Sequence, residues 1–406
     1  MKRSNFLMGT ISGLAVVANP EHVFARALGQ APLAGLPGGA GRCLVLVNLE
    51  GGNDGLNCIV PHGNAAYYAV RPSIAIASND VLAIDANVGF NPAMRSLKAM
   101  YDKGAVAIVQ SVGYPNPSLS HFRSTEIWQT AAPDRYDHTG WLGRYFDDAR
   151  LPQTDLFKGV AISKVPPEVL ASNETDIPSI ADFSHYSLLA DRNGFARQAF
   201  SRIAGDTHLP FTSPYLSHVM EIEEHAQRGS EELPRLIAGY KTQAAYPNSQ
   251  IGRSLALAAQ IIGSNLGTRV LYVSHGSFDT HAGQVQTQNR LLRELSDALA
   301  AFYQDLADHG NDGRVLTLTF SEFGRRIEQN ANKGTDHGEA SPLFLIGGGV
   351  KGGLYGPVPE LAATDMGNVR FAIDFRSVYA TVLERWLGRP AEPILRGSFP
   401  ALPVLA

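Results

Sequence analysis

Short, continuous apolar runs alternate along the chain with longer segments in which apolar residues recur every three or four positions. A short apolar run without polar interruption predicts a strand that is buried on both faces, as in a parallel sheet. Such runs cover residues Cys43–Leu49, 105–109, 160–163, 269–274, Val315–Phe320 and 343–346. These segments are the predicted strands.

The segments between the runs predict helices, because a spacing of three or four places apolar residues on one helical face. The predicted helices cover residues 91–102, 120–130, 254–262, 284–307 and 375–387. In the first of them Met94, Leu97 and Met100 form a single stripe. Gly388 and Pro390 end the last one.

The alternation of strands and helices predicts an α/β fold, with a doubly wound, mostly parallel sheet and helices on both faces. In such sheets, ligands bind outside the carboxyl ends of the strands. We expect a single domain over residues 42–390, with an irregular insertion at about 151–250 and a C-terminal tail at 391–406. The loops that follow the strands are where functional residues are expected.

The N-terminus indicates export. Lys2 and Arg3 precede an apolar stretch at residues 6–18, and residues 24–27 offer an A-x-A cleavage site, which predicts a signal peptide over residues 1–27. The Lys-Arg pair resembles a degenerate twin-arginine signal, and the missing second arginine leaves general secretion open. After a flexible leader at 28–41, the mature protein is expected in the periplasm or outside the cell, without a membrane span.

Charge and cysteine content exclude some classes of protein. A formal net charge of -4, a pI near 6.3 and scattered basic residues give no surface for nucleic acid. The 2 cysteines, Cys43 and Cys58, are too few for a disulfide framework, although one bridge between them is open.

The first predicted strand is followed by Glu50 and the sequence GGNDGLN. Its glycines would let the backbone approach a ligand, and Asp54 would supply a hard oxygen to a cation. A turn in which Asn and Asp bind local backbone groups is an equal alternative.

Three later loops concentrate imidazoles and carboxylates, which together suit a divalent metal. The candidates in them are His275, Asp279, His281, Glu322, Asp336 and His337. Metal binding is favoured for Asp279 and His281, whereas His275 is equally a core histidine, and the remaining three have a plain surface alternative. If the sheet is correct, the carboxylates of Asp54, Asp279, Glu322 and Asp336 converge, and they repel one another unless a cation compensates them.

Ser120 stands where the helix at 120–130 begins. A hydroxyl there lies among backbone N–H groups that can stabilise an oxyanion, which makes it a candidate nucleophile. Simple helix capping is the commoner role of such a serine and is slightly favoured.

Seven motifs occur in order: GGNDGLN, NPSLSHFRSTEIWQT, HTGWLGRY, FDTHAGQ, FSEFGRR, GTDHG and DFRSVYATVLERWLG. Over residues 42–388 they resemble the bacterial secreted family known as domain of unknown function 1501, which is similar to the alkaline phosphatase and sulfatase superfamily. Matched by motif, the resemblance implies metal ligands at Asp54, Asp279, His281, Glu322 and His337, and a nucleophile at Ser120. The absence of a Cys-x-Pro-x-Arg motif argues against formylglycine chemistry, and the tight spacing of Asp279 and His281 leaves the second metal open.

The resulting hypothesis is an exported, metal-dependent hydrolase of phosphate or sulfate esters, acting on a small-molecule or polymer substrate. One or two ions of Zn, Mn or Ca would orient the ester and activate Ser120 or a water, while Arg123 or backbone amides would steady the transferring group. The alternative is a secreted, non-catalytic binding or assembly protein on the same scaffold.

Overall fold

The computed structural model describes residues 41–152, 155, 157–180, 233–361 and 367–406. The predicted signal peptide, most of the leader, and residues 181–232 of the predicted insertion lie outside these described residues. Both cysteines are free and buried, so the bridge left open by the sequence is not formed. Within the described part of the chain, no helix is both long and apolar enough to cross a membrane.

A mixed eight-stranded sheet lies at the centre of the described residues. Its strands are β1 (Cys43–Leu49), β5 (Val106–Gly113), β6 (Gly159–Ile162), β7 (Val270–His275), β8 (Val315–Phe320), β9 (Ser341–Gly347), β10 (Gly353–Tyr355) and β11 (Ile373–Asp374). The order across the sheet is β10-β5-β9-β8-β1-β7-β6, with β11 paired to β5. A small antiparallel sheet comprises β2 (Ile59–Val60), β3 (Leu82–Ala83) and β4 (Gly89–Phe90).

Strand β1 is the central element, because it pairs in parallel with β7 on one side and β8 on the other. All of its residues are buried. Leu44 and Leu46 pack in one core, and Val45 and Val47 pack in the core on the opposite face. This two-residue alternation between two cores explains the continuous apolar run.

Helices cover both faces of the sheet. The helices of the described residues include α1 (Ala65–Val70), α2 (Arg95–Asp102), α3 (His121–Thr130), α4 (Trp141–Ala149), α5 (Gln250–Gly263), α6 (Gln284–Asp308), α7 (Phe375–Thr381) and α8 (Ala391–Leu395). Of these, α1 packs in a separate core through Tyr67. The core that contains Val45 includes side chains of α2, α5 and α6, and the core that contains Leu44 includes side chains of α3, α4, α7 and α8. A π-helical turn at Val382–Leu387 extends α7 and ends at Gly388, whose φ of 69° is left-handed.

The predicted α/β fold with a mostly parallel sheet is confirmed, with shifts of a few residues at element ends. The structure also shows a feature that the sequence did not predict: β9 runs antiparallel to both β5 and β8. The predicted helix at 91–102 begins with a 3₁₀ turn at Pro92–Met94, capped by the Asn91 side chain, and continues as α2. Sequence patterns missed α1, α4, the strands β10 and β11, the small sheet, and α8, which lies in the predicted C-terminal tail.

Candidate metal centre

Five loops meet at one edge of the central sheet. Strands β1, β5, β7 and β8 all run in the same direction, so their carboxyl ends lie together. Strand β9 runs the other way and begins at that edge. The loops that carry Asp54, Ser120, Asp279, Glu322 and His337 are therefore brought to one side of the molecule.

The glycines after β1 serve contacts between loops. Gly51 has a φ of 111°, and a Cβ on it would lie 2.5 Å from the backbone nitrogen of Asp279. Its N–H donates to Oε1 of Glu322 at 2.9 Å. Hence these glycines let the β1 loop approach the β7 and β8 loops. The sequence had instead suggested that they let the backbone approach a ligand.

Asp54 lies in a buried ion pair with Arg71. Nη1 of Arg71 is 2.6 Å from Oδ2 and Nη2 is 3.1 Å from Oδ1, and both side chains are fully buried. Oδ2 also accepts from Nε2 of Gln284 at 2.5 Å, and Oδ1 accepts from the backbone N–H of Leu56. The carboxylate that the sequence suggests as the first metal ligand is already compensated by a guanidinium.

A second group of side chains converges on Asp279. Its Oδ1 lies 3.0 Å from Nε2 of His281 and 3.4 Å from Nε2 of His337, and its Oδ2 lies 3.5 Å from Nε2 of His121. Atoms of His121, Asp279 and His337 lie within 4.8 Å of one another in a geometry that could hold a metal ion. We refer to His121, Asp279, His281 and His337 as the imidazole cluster.

The far ring nitrogens of two imidazoles are held by fixed acceptors. Nδ1 of His121 lies 2.8 Å from Oε1 of Glu322, and Nδ1 of His337 lies 2.8 Å from the backbone carbonyl of Leu119. Since a carboxylate and a carbonyl only accept, both Nδ1 atoms carry the proton. Both Nε2 atoms face Asp279, and that of His121 is buried without a hydrogen-bond partner.

His281 completes the cluster. Its Nδ1 lies 3.3 Å from Oδ1 of Asp336, which also accepts from Nδ2 of Asn330 at 3.1 Å. Its Nε2 lies 2.9 Å from Nε2 of His337. The neutral His337 ring carries its proton on Nδ1, so its Nε2 presents a lone pair, and the contact is favourable when His281 has a hydrogen on its Nε2 or when both nitrogens bind one cation.

The pKa directions match the protonation states that metal ligands need. Burial opposes ionisation of Asp279, but the hydrogen bond and charge of Arg325, with the nearby imidazoles, outweigh it and lower its pKa. The hydrogen bond from Asn330 lowers the pKa of Asp336. Burial lowers the pKa of His337, which keeps its ring neutral.

Arg325 and Phe323 form the floor of the cluster. The Arg325 side chain is fully buried, and its Nη2 donates to Oδ1 of Asp279 at 2.6 Å. Its other donors bind the backbone carbonyls of Gly52 and Thr335. The ring of Phe323 packs against His121 and His337, with centroid distances of 4.8 and 4.6 Å. Oδ1 of Asp279 is therefore shared between Arg325 and two imidazoles, whereas its Oδ2 faces His121.

Ser120 is exposed and immediately precedes His121 at the start of α3. Its side chain makes no capping hydrogen bond, so the capping role favoured by the sequence is not formed. Nη2 of Arg123 donates to three backbone carbonyls in the loop after α3, and Nη1 pairs with Glu126 at 2.7 Å. Arg123 thus holds this loop, and its guanidinium is occupied.

His275 is a core residue. Its Nε2–H donates to the carbonyl of Leu291 at 3.0 Å, and its ring packs edge-on against Phe278. Burial lowers its pKa, so the ring is neutral. Of the two alternatives for His275, the structure has the core histidine.

A cleft of about 490 Å³ opens beside the cluster. Its lining includes Asn48, Glu50, His121, Phe122, Glu126, Glu168, Asp279 and Glu322. Burial raises the pKa of both Glu50 and Glu168. The volume is typical of sites for small ligands, and His121 and Asp279 of the imidazole cluster are among the lining residues.

Three residues of this edge were missed by sequence reasoning. His121 could have been found, because it directly follows the predicted start of a helix at the carboxyl edge of the sheet. Arg325 follows Glu322 within one quoted motif. Arg71 gives no signal, since it lies after α1, a helix that the apolar pattern did not predict.

The family model described as "Protein of unknown function (DUF1501)" matches residues 41–388. The chain belongs to this family. The resemblance seen in the motifs is thereby confirmed, whereas no curated protein matches the sequence of this DUF1501 chain.

Comparison with solved structures gives distant similarities, of which three follow. The C-terminal periplasmic domain of EcEptC from Escherichia coli, in complex with Zn, has a TM-score of 0.37 and 11% identity, over 78% of this chain and 75% of that one. A protein in the alkaline phosphatase superfamily from Vibrio parahaemolyticus has a TM-score of 0.39 and 10% identity, over 89% of this chain and 71% of that one. The PsFucS1 sulfatase from Pseudoalteromonas sp. has a TM-score of 0.39 and 12% identity, over 96% of this chain and 77% of that one. Similarities this distant do not bear on the chemistry of the present chain.

Proposed function

We propose that this DUF1501 protein is an exported, metal-dependent hydrolase of phosphate or sulfate esters. Its metal would be held by the imidazole cluster. The observation that carries the proposal is the shared orientation of the imidazoles, whose Nδ1 atoms bind fixed acceptors while their Nε2 atoms face the carboxylate of Asp279.

The donor set fits a divalent ion. Metal-bound histidines almost always donate their other N–H to a carboxylate or carbonyl, which fixes the ring. Here Glu322 would orient His121, and Asp336 would orient His281. The unpartnered Nε2 of His121 and the close contact between His281 and His337 would both be satisfied by a cation. Three imidazoles and one carboxylate favour Zn or Mn over Ca, which prefers oxygen ligands.

The predicted metal set is therefore revised in this proposal. His121, Asp279, His281 and His337 would contact the ion, whereas Glu322 and Asp336 would position two of these imidazoles. Asp54 is left out because Arg71 already neutralises it. The sequence predicted a metal partly because several carboxylates would repel one another. Arg71 relieves this repulsion at Asp54, and Arg325 relieves part of it at Asp279.

When bound, the metal would act as a Lewis acid on an ester oxygen. The chain's own contribution would come from the start of α3, where backbone N–H groups are unpaired within the helix and favour negative charge. Ser120 is exposed at this point and precedes a residue of the cluster, which supports it as the nucleophile. Arg123 is not retained in a catalytic role, because its donors hold the loop after α3.

The test combines metal content with a substrate screen. Protein loaded separately with Zn and Mn is assayed on aryl phosphates, phosphodiesters and aryl sulfates, beside His337→Ala and Asp54→Asn. The proposal expects about one equivalent of metal and turnover of at least one class, with both lost in His337→Ala. Retention of metal in Asp54→Asn would separate the imidazole cluster from a site at Asp54. The melting temperature of this variant is measured too, because the substitution leaves Arg71 without its buried carboxylate. Absence of metal in the loaded parent would refute the proposal.

A second candidate is a secreted binding or assembly protein that keeps the metal without turnover. It is favoured by the Asp54–Arg71 pair, because a guanidinium at this position removes one acidic group from the metal-binding edge. Full metal occupancy without turnover of any ester class would select this candidate.

Export remains part of the proposal and is supported by the basic n-region and apolar stretch of the N-terminus. Replacing Lys2 and Arg3 with neutral residues is expected to hold the precursor in the cytoplasm. Unchanged mature protein outside the cytoplasm would contradict export through this segment.

A further inference from the structure

The cleft beside the imidazole cluster has an acidic wall. Five carboxylates line it, those of Glu50, Glu126, Glu168, Asp279 and Glu322, and neither lysine nor arginine is among its lining residues. Such a surface disfavours a ligand that is anionic throughout, because like charges repel in a partly desolvated site. The part of a ligand that lies here must therefore differ in charge from a phosphate or sulfate group.

Three of these carboxylates have cationic or imidazole partners. Glu126 pairs with Arg123, Asp279 with Arg325, and Glu322 with His121. Within the described residues, Glu50 and Glu168 form no ion pair. His138 and Arg123 both lie close enough to affect Glu168 electrostatically, and the guanidinium of Arg123 is engaged by Glu126. Glu50 has a side-chain hydrogen bond with Ser274.

An independent observation comes from Asn48, near the carboxyl end of β1. Its side chain lines the same cleft, yet the residue is only 2% exposed. Nδ2 donates to the hydroxyl of Tyr272 at 3.1 Å, whereas Oδ1 has no hydrogen-bond partner among the described residues. A buried acceptor without a donor is costly, and a ligand N–H that reached it would remove this cost.

We propose that the cleft is a subsite for a primary ammonium group, recognised by the carboxylates of Glu50 and Glu168 and by Oδ1 of Asn48. An ammonium group has three N–H donors and a positive charge, which this wall of acceptors complements. Combined with the proposed ester hydrolase, on which this part of the inference rests, the substrate class is an ester that also carries an amine.

The experiment measures binding by calorimetry with two matched ligand pairs. The first pair is 2-aminoethylphosphonate and propylphosphonate, which have similar shapes, differ in the ammonium group and resist hydrolysis. We expect the amine to bind the metal-loaded protein at least about tenfold more tightly, as for a charge-assisted hydrogen bond. The second pair, 1,5-diaminopentane and 1,5-pentanediol, tests the ammonium subsite without any phosphonate.

Glu50→Gln and Glu168→Gln should each reduce the preference for the amine by about tenfold. Glu50 is exposed and Glu168 is half-buried, so both variants are expected to fold, and their melting temperatures check this. Glu392→Gln, at an exposed position in α8, is the matched control and should leave the preference unchanged.

Equal affinity within both pairs would overturn the subsite, and so would a preference that survives both substitutions. A drop in bound Zn in Glu50→Gln or Glu168→Gln would also overturn it, because the cleft would then hold a second metal. Selective binding of the diamine without ester turnover would support the subsite and refute the hydrolase. Turnover without any amine preference would support the hydrolase and refute the subsite.

Discussion

Nε2 of His281 lies 2.9 Å from Nε2 of His337. The second nitrogen of each ring faces an acceptor, Asp336 for His281 and the carbonyl of Leu119 for His337. A lone pair on both Nε2 atoms would make this contact repulsive. Either a hydrogen on Nε2 of His281 or a metal ion bound by both nitrogens removes the repulsion, and the second of these links the geometry to the proposed function.

The contact between Glu322 and His121 predicts that a residue that does not bind the metal itself affects the affinity for Zn. Glu322→Gln should weaken Zn binding by at least about tenfold, because loss of the carboxylate frees the His121 ring and lowers its basicity. Competition with a chelating dye measures the affinity. Asp54→Asn, at the same edge of the sheet, should bind Zn as the parent does. Equal affinities for the Glu322 variant and the parent would contradict this role.

The buried pair of Asp54 and Arg71 predicts a structural role. Arg71→Met should lower the free energy of unfolding by about 3 to 5 kcal/mol, because it leaves an uncompensated buried carboxylate. Combining it with Asp54→Leu should recover part of the loss, since both charges are then absent. Urea unfolding of the metal-free variants gives these values. A loss below about 1 kcal/mol for the single variant would show that the pair is not buried in solution.

The Ser120 side chain makes no capping hydrogen bond, so its substitution can separate an effect on catalysis from an effect on stability. Ser120→Ala should change the free energy of unfolding by less than about 0.5 kcal/mol, as for an exposed side chain without special contacts. Its turnover should nevertheless fall by orders of magnitude if its hydroxyl is the nucleophile. Ser398→Ala, at an exposed position near the C-terminus, is the control. Retained turnover in Ser120→Ala would transfer the role to a water molecule.

The buried ring of His275 predicts a loss of stability in acid. Burial lowers its pKa in the folded state below the ordinary value near 6.5, so the unfolded chain binds more protons there. The stabilisation is full above pH of about 6.5 and is lost as the pH falls. His275→Gln should flatten this slope by up to about 1.4 kcal/mol per pH unit. Denaturant titrations of the metal-free parent and variant between pH 7 and 5 measure the two slopes. Equal slopes would contradict the prediction.

Much of the fold follows from local patterns. The runs that form β1, β7 and β8 are apolar because they are buried on both faces, and this is visible without tertiary information. The direction of β9 was not predictable, because an apolar run is the same for either direction. The short strands of the small sheet are too brief to show a period.

The candidate site was predictable to a smaller extent. Asp279, His281 and His337 lie together because the parallel sheet brings strand ends to one edge. Which carboxylate a guanidinium neutralises depends on long-range packing, as in the pair formed by Asp54 and Arg71. The roles of these residues therefore required side-chain positions that spacing does not provide.

The central claim is that one divalent ion lies among the Nε2 atoms of His121, His281 and His337 and the carboxylate of Asp279. Anomalous X-ray scattering at the Zn edge, from crystals of the Zn-loaded protein, locates the ion directly. The account predicts one strong peak about 2.0 to 2.2 Å from these nitrogen and oxygen atoms. A peak beside Asp54, or no peak in protein saturated with Zn, would contradict it.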